Sequence, residues 1–195
     1  MFSLALNHYP VDERTLEEII NGCKAGNVKD QERLFNLYSE TMFGVCLYYS
    51  RDTSEAEDLL HDGFLKIFQH IHTFRYQGSF EGWMRRIMVN TSLERFRKER
   101  HLYSLSDVEN TLEDVMEENI IGQISTKDLV KLIQDLSPRY RMVFNLYAVE
   151  GYSHKEISRM MGITEGTSKS NLARARAILQ RNVKHFFLTD SKTIK

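Results

Sequence analysis

One pattern constrains this chain more than any other: apolar residues recur every three or four positions, in stretch after stretch, and little interrupts them. In "DQERLFNLYSETMFGVCLYYS", Leu34, Phe35, Leu37, Tyr38, Met42, Val45, Cys46 and Tyr49 keep that spacing. In "EAEDLLHDGFLKIFQHI", so do Ala56, Leu59, Leu60, Phe64, Ile67, Phe68 and Ile71. Residues spaced this way share one face of an α-helix. The 195 residues include only 2 prolines, so helices can run long. No strand pattern of any length, internal repeat or low-complexity segment occurs. The pattern predicts an all-α fold.

Helix ends are signalled locally. "LEEIINGCKAG" places Leu16, Ile19, Ile20 and Cys23 on one face and stops near Gly26. Asp30 is the expected N-cap of the next helix, and Ser54 with Glu57 the expected capping box of the one after. A loop, "HTFRYQGS", separates these from "FEGWMRRIMVNTSLERFRKER", a helix with a strongly basic end. Further on, "KDLVKLIQDL" is amphipathic. Ser137 and Pro138 open "PRYRMVFNLYAVEG", Ser153 and Glu156 form a capping box for "HKEISRMMG", Gly162 suits a left-handed stop, and Thr164 caps the last helix.

Charge divides the chain. From Arg100 to Lys127 there is no intervening Lys or Arg, while Asp107, Glu109, Glu113, Asp114, Glu117 and Glu118 accumulate. The expected organisation is a tail at 1–13, a helical domain at 14–103, an acidic linker at 104–124, a second helical domain at 125–188 and a tail at 189–195.

Several function classes drop out. With 26 basic and 27 acidic residues the formal net charge is −1, so any nucleic-acid contact must come from local patches. Cys23 and Cys46 stand alone, which predicts two buried free thiols and a cytoplasmic chain. There is no apolar run long enough for a membrane span and no basic leader of a signal peptide. No glycine-rich phosphate loop, nucleophile motif or metal cluster occurs, and "HIH" at 70–72 lacks a third ligand. The expectation is a protein that is not an enzyme and has no cofactor.

What remains is a helix, a Gly-containing turn and a basic second helix, "GITEGTSKSNLARARAIL". That is a helix-turn-helix, whose second helix enters the major groove by its N-terminal part. Ile157, Met161, Ile163, Leu172 and Ile178 can pack inward, leaving Thr167, Lys169, Ser170, Asn171, Arg174 and Arg176 for outer faces. Small residues, Ala173 among them, let the backbone approach a groove. Lys and Arg suit phosphates and guanine edges, and Asn suits adenine.

At this point "LSPRYRMVFNLYAVEGYSHKEISRMMGITEGTSKSNLARARAIL" resembles region 4 of bacterial sigma factors, in particular the extracytoplasmic-function group. Leu136, Arg141, Val143, Phe144, Glu150, Gly151, Glu156, Gly162, Gly166, Thr167, Lys169, Leu172, Arg174 and Arg176 match the family pattern. Ser158, Ser168 and Asn171 depart from its usual Ala, Val and Arg. Upstream, "EAEDLLHDGFLKIFQHIHTFRYQGSFEGWMRRIMVNTSLERFRKER" is similar to sigma region 2. The resemblance implies two helical domains and a promoter-specificity role. Its implied −35 contacts are Thr167, Lys169, Ser170, Asn171, Ala173 and Arg174. Polymerase contacts fall at Asp58, His61 and Asp62, with His61 departing from the usual Gln. The −10 element falls to Phe74, Arg75, Arg85, Arg86 and Asn90. Arg95, Arg97 and Lys98 are plausible phosphate contacts by charge.

The implied partners are core RNA polymerase, through the clamp helices of its largest subunit and the flap of its second, and promoter DNA. Family members are commonly restrained by an anti-sigma factor, often membrane-bound; nothing in the sequence identifies one. A linker of roughly 20 residues at ~3.3 Å each reaches about 65 Å, or about 19 base pairs at ~3.4 Å, so two domains could grip separate elements. Its acidic residues would lie in polymerase channels as an RNA mimic. Two other readings stay open on the residues alone: a stand-alone helix-turn-helix regulator, and a helical adaptor that binds protein and no DNA.

Overall fold

The computed structural model describes residues 15–102 and 125–190, with side chains at 15–99 and 125–185; the N-terminal tail, the whole acidic linker and residues 191–195 lie outside the described residues, while 189 and 190, expected in the C-terminal tail, continue the last helix. Among the described residues every regular element is a helix. The first unit comprises α1 (Leu16–Lys24), α2 (Val28–Tyr49), α3 (Thr53–His70), a 3-10 turn (Ile71–Thr73) and α4 (Phe80–Leu102). The second comprises α5 (Thr126–Gln134), α6 (Pro138–Phe144), a π-helical turn (Asn145–Val149), α7 (His154–Met161) and α8 (Glu165–Asp190).

The capping signals hold in part. Ser153 and Glu156 form their box, Gly162 closes α7 at φ 64°, Pro138 sits in the first turn of α6, and Thr164 Oγ1 accepts from Thr167 N at 3.0 Å. Two expected caps are corrected. α2 is capped by Asn27, whose side chain accepts from Lys29 N and Asp30 N. Asp30 is instead buried, paired with Arg33 at 2.9 Å and packed where a Cβ on Gly22 would lie 2.0 Å from its Oδ2. α3 is capped by Asp52, not Ser54: Asp52 Oδ1 accepts from Glu55 N at 2.8 Å, and Glu55 reaches back to Arg51 N at 2.7 Å. The same D-x-x-E spacing occurs two residues earlier than S-x-x-E, and a charged cap gains more from the helix dipole.

Ile20, Leu34, Met42, Leu59, Ile67, Met84 and Met88 are fully buried in the first unit, and Cys23 and Cys46 lie among them as free thiols. Burial pushes their pKa values up to about 11 and about 12, so both stay protonated and unreactive. In the second unit Ile133, Leu136, Ala175 and Leu179 pack α5 against α8.

The two units do not stand apart. Met142, Val143, Leu146, Ile157, Met161 and Leu172 belong to the same apolar cluster as the α1–α4 core. Polar groups complete the seam. The last carbonyls of a helix have no partner within it; at the end of α2, Leu47 O accepts from Gln134 Nε2 at 3.2 Å and Tyr48 O from Asn145 Nδ2. The π-helical turn closes with Glu150 N on Asn145 O at 3.0 Å, and so presents Asn145 and Glu150 to the first unit.

α3 and α4 cross closely at Gly63, where an added Cβ would lie 2.1 Å from Met88 Sδ. Gly63→Ala is expected to destabilise the fold by about 1–3 kcal/mol through overpacking. Shortening the opposing side chain in Gly63→Ala/Met88→Val should restore part of that loss. Urea unfolding of the two variants checks it; additive losses would contradict the close crossing.

Candidate nucleic-acid and polymerase interface

The helix-turn-helix is built by α7 and α8. After the Gly162 turn, α8 turns Gly166, Lys169, Ser170, Ala173 and Arg176 to solvent, a row at helical spacing, with Thr167 and Arg174 half-buried at its edges. Lys155 and Arg159 on α7 are exposed as well. Arg176 also lies 5.6 Å from the Tyr147 ring centre.

One expected contact, Asn171, turns inward, and Ser168, which departs from the family's usual Val, lies on the same buried side. Ser168 is fully buried, its Oγ 2.9 Å from His154 Nδ1, and the His154 ring stacks on Tyr147 at 4.6 Å. Asn171 is 3% exposed and its Nδ2 has no protein partner, so its side chain does not share the outer row. The reason is register: 168, 171, 172, 175 and 179 form the buried stripe of α8, opposite the exposed one.

On α3 the exposed row is Asp58, His61, Asp62 and Leu65, four residues spaced for one face. Leu65 is 61% exposed, an apolar member that polar motif matching passes over. Leu59, Leu60 and Phe64 are core. Arg95, read as a phosphate contact, is instead held on α3 by Asp58 at 3.6 Å and Glu55 O at 3.3 Å.

The loop between α3 and α4 also divides differently from its motif. Phe74 is buried, its ring 4.9 Å from Phe80 and 5.6 Å from Trp83, and its carbonyl accepts from Lys24 Nζ at 3.0 Å. It is the loop's anchor. The exposed ring is Tyr76, at φ 57°, with Lys24 Nζ 4.6 Å from its centre and its OH donating to Asn21 Oδ1 at 3.1 Å. A bulky residue at positive φ is strained and is held there by its surroundings. Arg75, Arg86 and Asn90 are exposed.

Arg85 is not. Its Nε and Nη2 donate to the two carboxylate oxygens of Glu150 at 2.8 and 2.7 Å, a bidentate pair across the seam. Tyr49 OH adds a third donor to Glu150 at 3.3 Å. The bond to Glu150 raises the pKa of Arg85; burial first, and then the charge of Glu150, raises that of Tyr49. Arg97 Nη2 likewise donates to the Met160 carbonyl. Glu150 was legible only as part of the region 4 pattern; its pairing is a long-range contact that no spacing announces.

Family models for Sigma-70 region 2 and Sigma-70 region 4 match residues 34–102 and 126–179. The sigma factor SigM of Mycobacterium tuberculosis is 30% identical over 171 residues, covering 87% of this chain and 85% of its own length. The chain belongs to the extracytoplasmic-function sigma factors. BldN of Streptomyces coelicolor is 29% identical over 175 residues, and this chain spans 66% of its length. Among solved structures, the RpoE of Bartonella quintana in complex with the anti-sigma factor NepR covers 80% of this chain at 24% identity and a TM-score of 0.48. The region 2 match separates this sigma factor from a stand-alone helix-turn-helix regulator, and the family separates it from a mere adaptor. Core RNA polymerase and promoter DNA are its partners, and transcription initiation is its process.

Ser168 is tolerated in the buried stripe because His154 satisfies it. His154→Ala is expected to destabilise the protein by about 1–3 kcal/mol, since it orphans a buried hydroxyl. Ser168→Ala should cost less. A double-mutant cycle read by thermal unfolding should give a coupling of about 0.5 kcal/mol or more; additivity would show that the pair does not interact.

Proposed function

We propose that the exposed row of α3 docks on the polymerase clamp, that the α3–α4 loop and the start of α4 read the −10 element, and that the outer row of α8 reads the −35 element. On this reading 14–103 is the region 2 domain, 125–188 the region 4 domain, and 104–124 the acidic linker that spans between promoter elements. The observation that carries it is the pair of outward rows: Asp58, His61, Asp62 and Leu65 on one unit, Lys169, Ser170, Ala173 and Arg176 on the other. Both rows project from helices whose opposite stripes are core, so the backbone positions of the rows are fixed before any partner arrives.

Base-reading roles follow exposure. Lys169 and Arg174 suit phosphates and guanine edges, with Thr167 and Ser170 beside them; Arg176 joins this set. Asn171 supports the row from inside. In the −10 loop, Phe74 holds the loop's shape, Tyr76 offers the stacking face, and Arg75, Arg86 and Asn90 flank it. The protein works in the cytoplasm and is not an enzyme; no helix of the described residues is long and apolar enough to cross a membrane. An anti-sigma factor is the further partner that the family resemblance implies.

Promoter engagement through Arg85 requires the seam to open, because Arg85 cannot hold Glu150 and a phosphate at once. Transcription by core polymerase, with and without this protein, on a library of promoter-bearing DNA tests the whole reading: new start sites sharing two spaced elements are expected, and their absence with folded protein would sink it. Within that assay Tyr76→Ala should lower open-complex formation by roughly 5- to 100-fold, the equivalent of about 1–3 kcal/mol of base stacking, with duplex binding to the −35 element unchanged. Glu150→Gln removes the charge from the bidentate pair, and such charge-assisted bonds contribute about 1.5–3 kcal/mol. It should therefore favour the open form by about tenfold or more, seen as a larger radius in small-angle scattering; an unchanged radius would count against the latch.

A further inference from the structure

Beside the Arg85–Glu150 pair, residues of α2, α3, α4 and α6 wall a cavity of about 540 Å³. Two polar groups in its wall are buried without partners. Arg141, on α6, is 5% exposed and its Nε donates to nothing; its Nη2 reaches the Leu136 carbonyl at a long 3.4 Å. Ser50, at the end of α2, is 1% exposed and its Oγ is equally unpartnered. No ion pair among the described residues includes Arg141. Burial lowers its pKa, with Glu55 and Glu99 acting the other way, yet a guanidinium stays charged in a folded protein.

The carboxylates nearby do not satisfy it. Glu55 accepts from Arg51 N at 2.7 Å and faces Arg51 Nε at 3.8 Å, Asp58 takes Arg95, and Glu99 is exposed. Ser92 Oγ already donates to Val89 O at 2.7 Å. A buried cation and a hydroxyl are thus left facing a space of ligand size, and a buried charge without a counter-charge is heavily penalised. Arg51 and Arg95 also line the space, so its wall holds three guanidinium groups against the carboxylates of Glu55 and Glu99, and Leu59, Phe96 and Met142 supply an apolar side.

We propose that this cavity binds a small organic anion, whose carboxylate or phosphate head pairs with Arg141 and Ser50 and whose apolar body lies against Leu59, Phe96 and Met142. Arg141 and Met142 belong to the second unit, and Ser50, Leu59 and Phe96 to the first, so one ligand is held by both. It binds the closed arrangement and not the open one. Closure is then favoured by the factor 1 + [L]/Kd, about a hundredfold at 100 Kd, and initiation falls as the anion rises. The site rests on the seam geometry and not on the assignment of promoter contacts.

The test follows the Arg Nε–Hε resonances of the ¹⁵N-labelled full chain during titration with phenyl phosphate, benzoate and inorganic phosphate. One organic anion should shift the Arg141 signal saturably, with inorganic phosphate at least about tenfold weaker for lack of an apolar body; the tighter of the two organic probes names the head group. Ser50→Ala should weaken binding several-fold and leave the other resonances in place, and Arg141→Gln should abolish it. Because Arg141→Gln could unfold the second unit, Ser50→Ala is the deciding variant. Glu150→Gln, which loosens the seam, should weaken binding too. Shifts that rise linearly with all three probes, or inorganic phosphate binding as tightly as the organic anions, would overturn the site. Unchanged affinity in Ser50→Ala or Glu150→Gln would overturn its bridging of the two units.

Discussion

The open carbonyls at the C-terminus of α2 are the constraint on which the arrangement of this molecule depends. A helix end buried against another unit must find donors there. Gln134 and Asn145 provide them, from α5 and the π-helical turn. Once those amides are seated, Glu150 comes to lie between Arg85 and Tyr49, and Met142, Val143 and Leu146 complete the core of the first unit. The seam is therefore specified by directional bonds as well as by apolar area. It is also incompletely satisfied: Ser50 Oγ, Arg141 Nε and Asn145 Oδ1 are buried without partners. Each such group costs about 1–3 kcal/mol, which makes the closed arrangement shallower than its shared core alone would suggest.

The sequence carried the helices well and the seam hardly at all, for one physical reason. Periodicity, caps and glycine stops act within about four residues, so α1 to α8, the Ser153–Glu156 box and the Gly162 stop are legible from spacing. The caps that were misread, Asn27 for Asp30 and Asp52 for Ser54, are choices between competing local signals a few residues apart. By contrast Arg85 and Glu150 are 65 residues apart and Asn145 and Tyr48 are 97 apart. Nothing local distinguishes an arginine destined for a carboxylate from one destined for a phosphate. Arg85, Arg95 and Arg97 all read as nucleic-acid contacts, and all three are engaged by protein groups.

The departures from the family pattern have a similar lesson. Ser168 and Asn171 stand where the usual residues are Val and Arg, and an outward reading of Asn171 is natural because polar residues are normally solvated. The structure instead places both on the buried stripe of α8. Ser168 is compensated by His154, itself stacked on Tyr147, so one polar substitution in the core is answered by a second residue fourteen positions earlier. Asn171 has no such answer for its Nδ2. Phe74 is the counterpart in the first unit: an aromatic in a loop suggests an exposed platform, but Phe80, Trp83 and the Lys24–carbonyl bond fix it inside and leave Tyr76 outside.

The partition of surfaces sets what the closed form can and cannot do. Asp58, His61, Asp62 and Leu65 lie on the solvent face of α3, and none takes part in the seam, so a partner that docks there meets no competition from the second unit. The outer row of α8 is likewise exposed. Arg85 is different, because anything that takes its guanidinium must displace a bidentate carboxylate with about a tenth of its side chain exposed. Displacing it also leaves Glu150 and Tyr49 to be solvated together, next to the Leu47 and Tyr48 carbonyls that Gln134 and Asn145 cap. The Arg85 and Tyr49 bonds share Glu150, so their contributions to opening are coupled rather than additive. On the proposed assignment of surfaces this makes a two-position switch: docking on α3 would be indifferent to the seam, and nucleic-acid contact through Arg85 would be conditional on its opening.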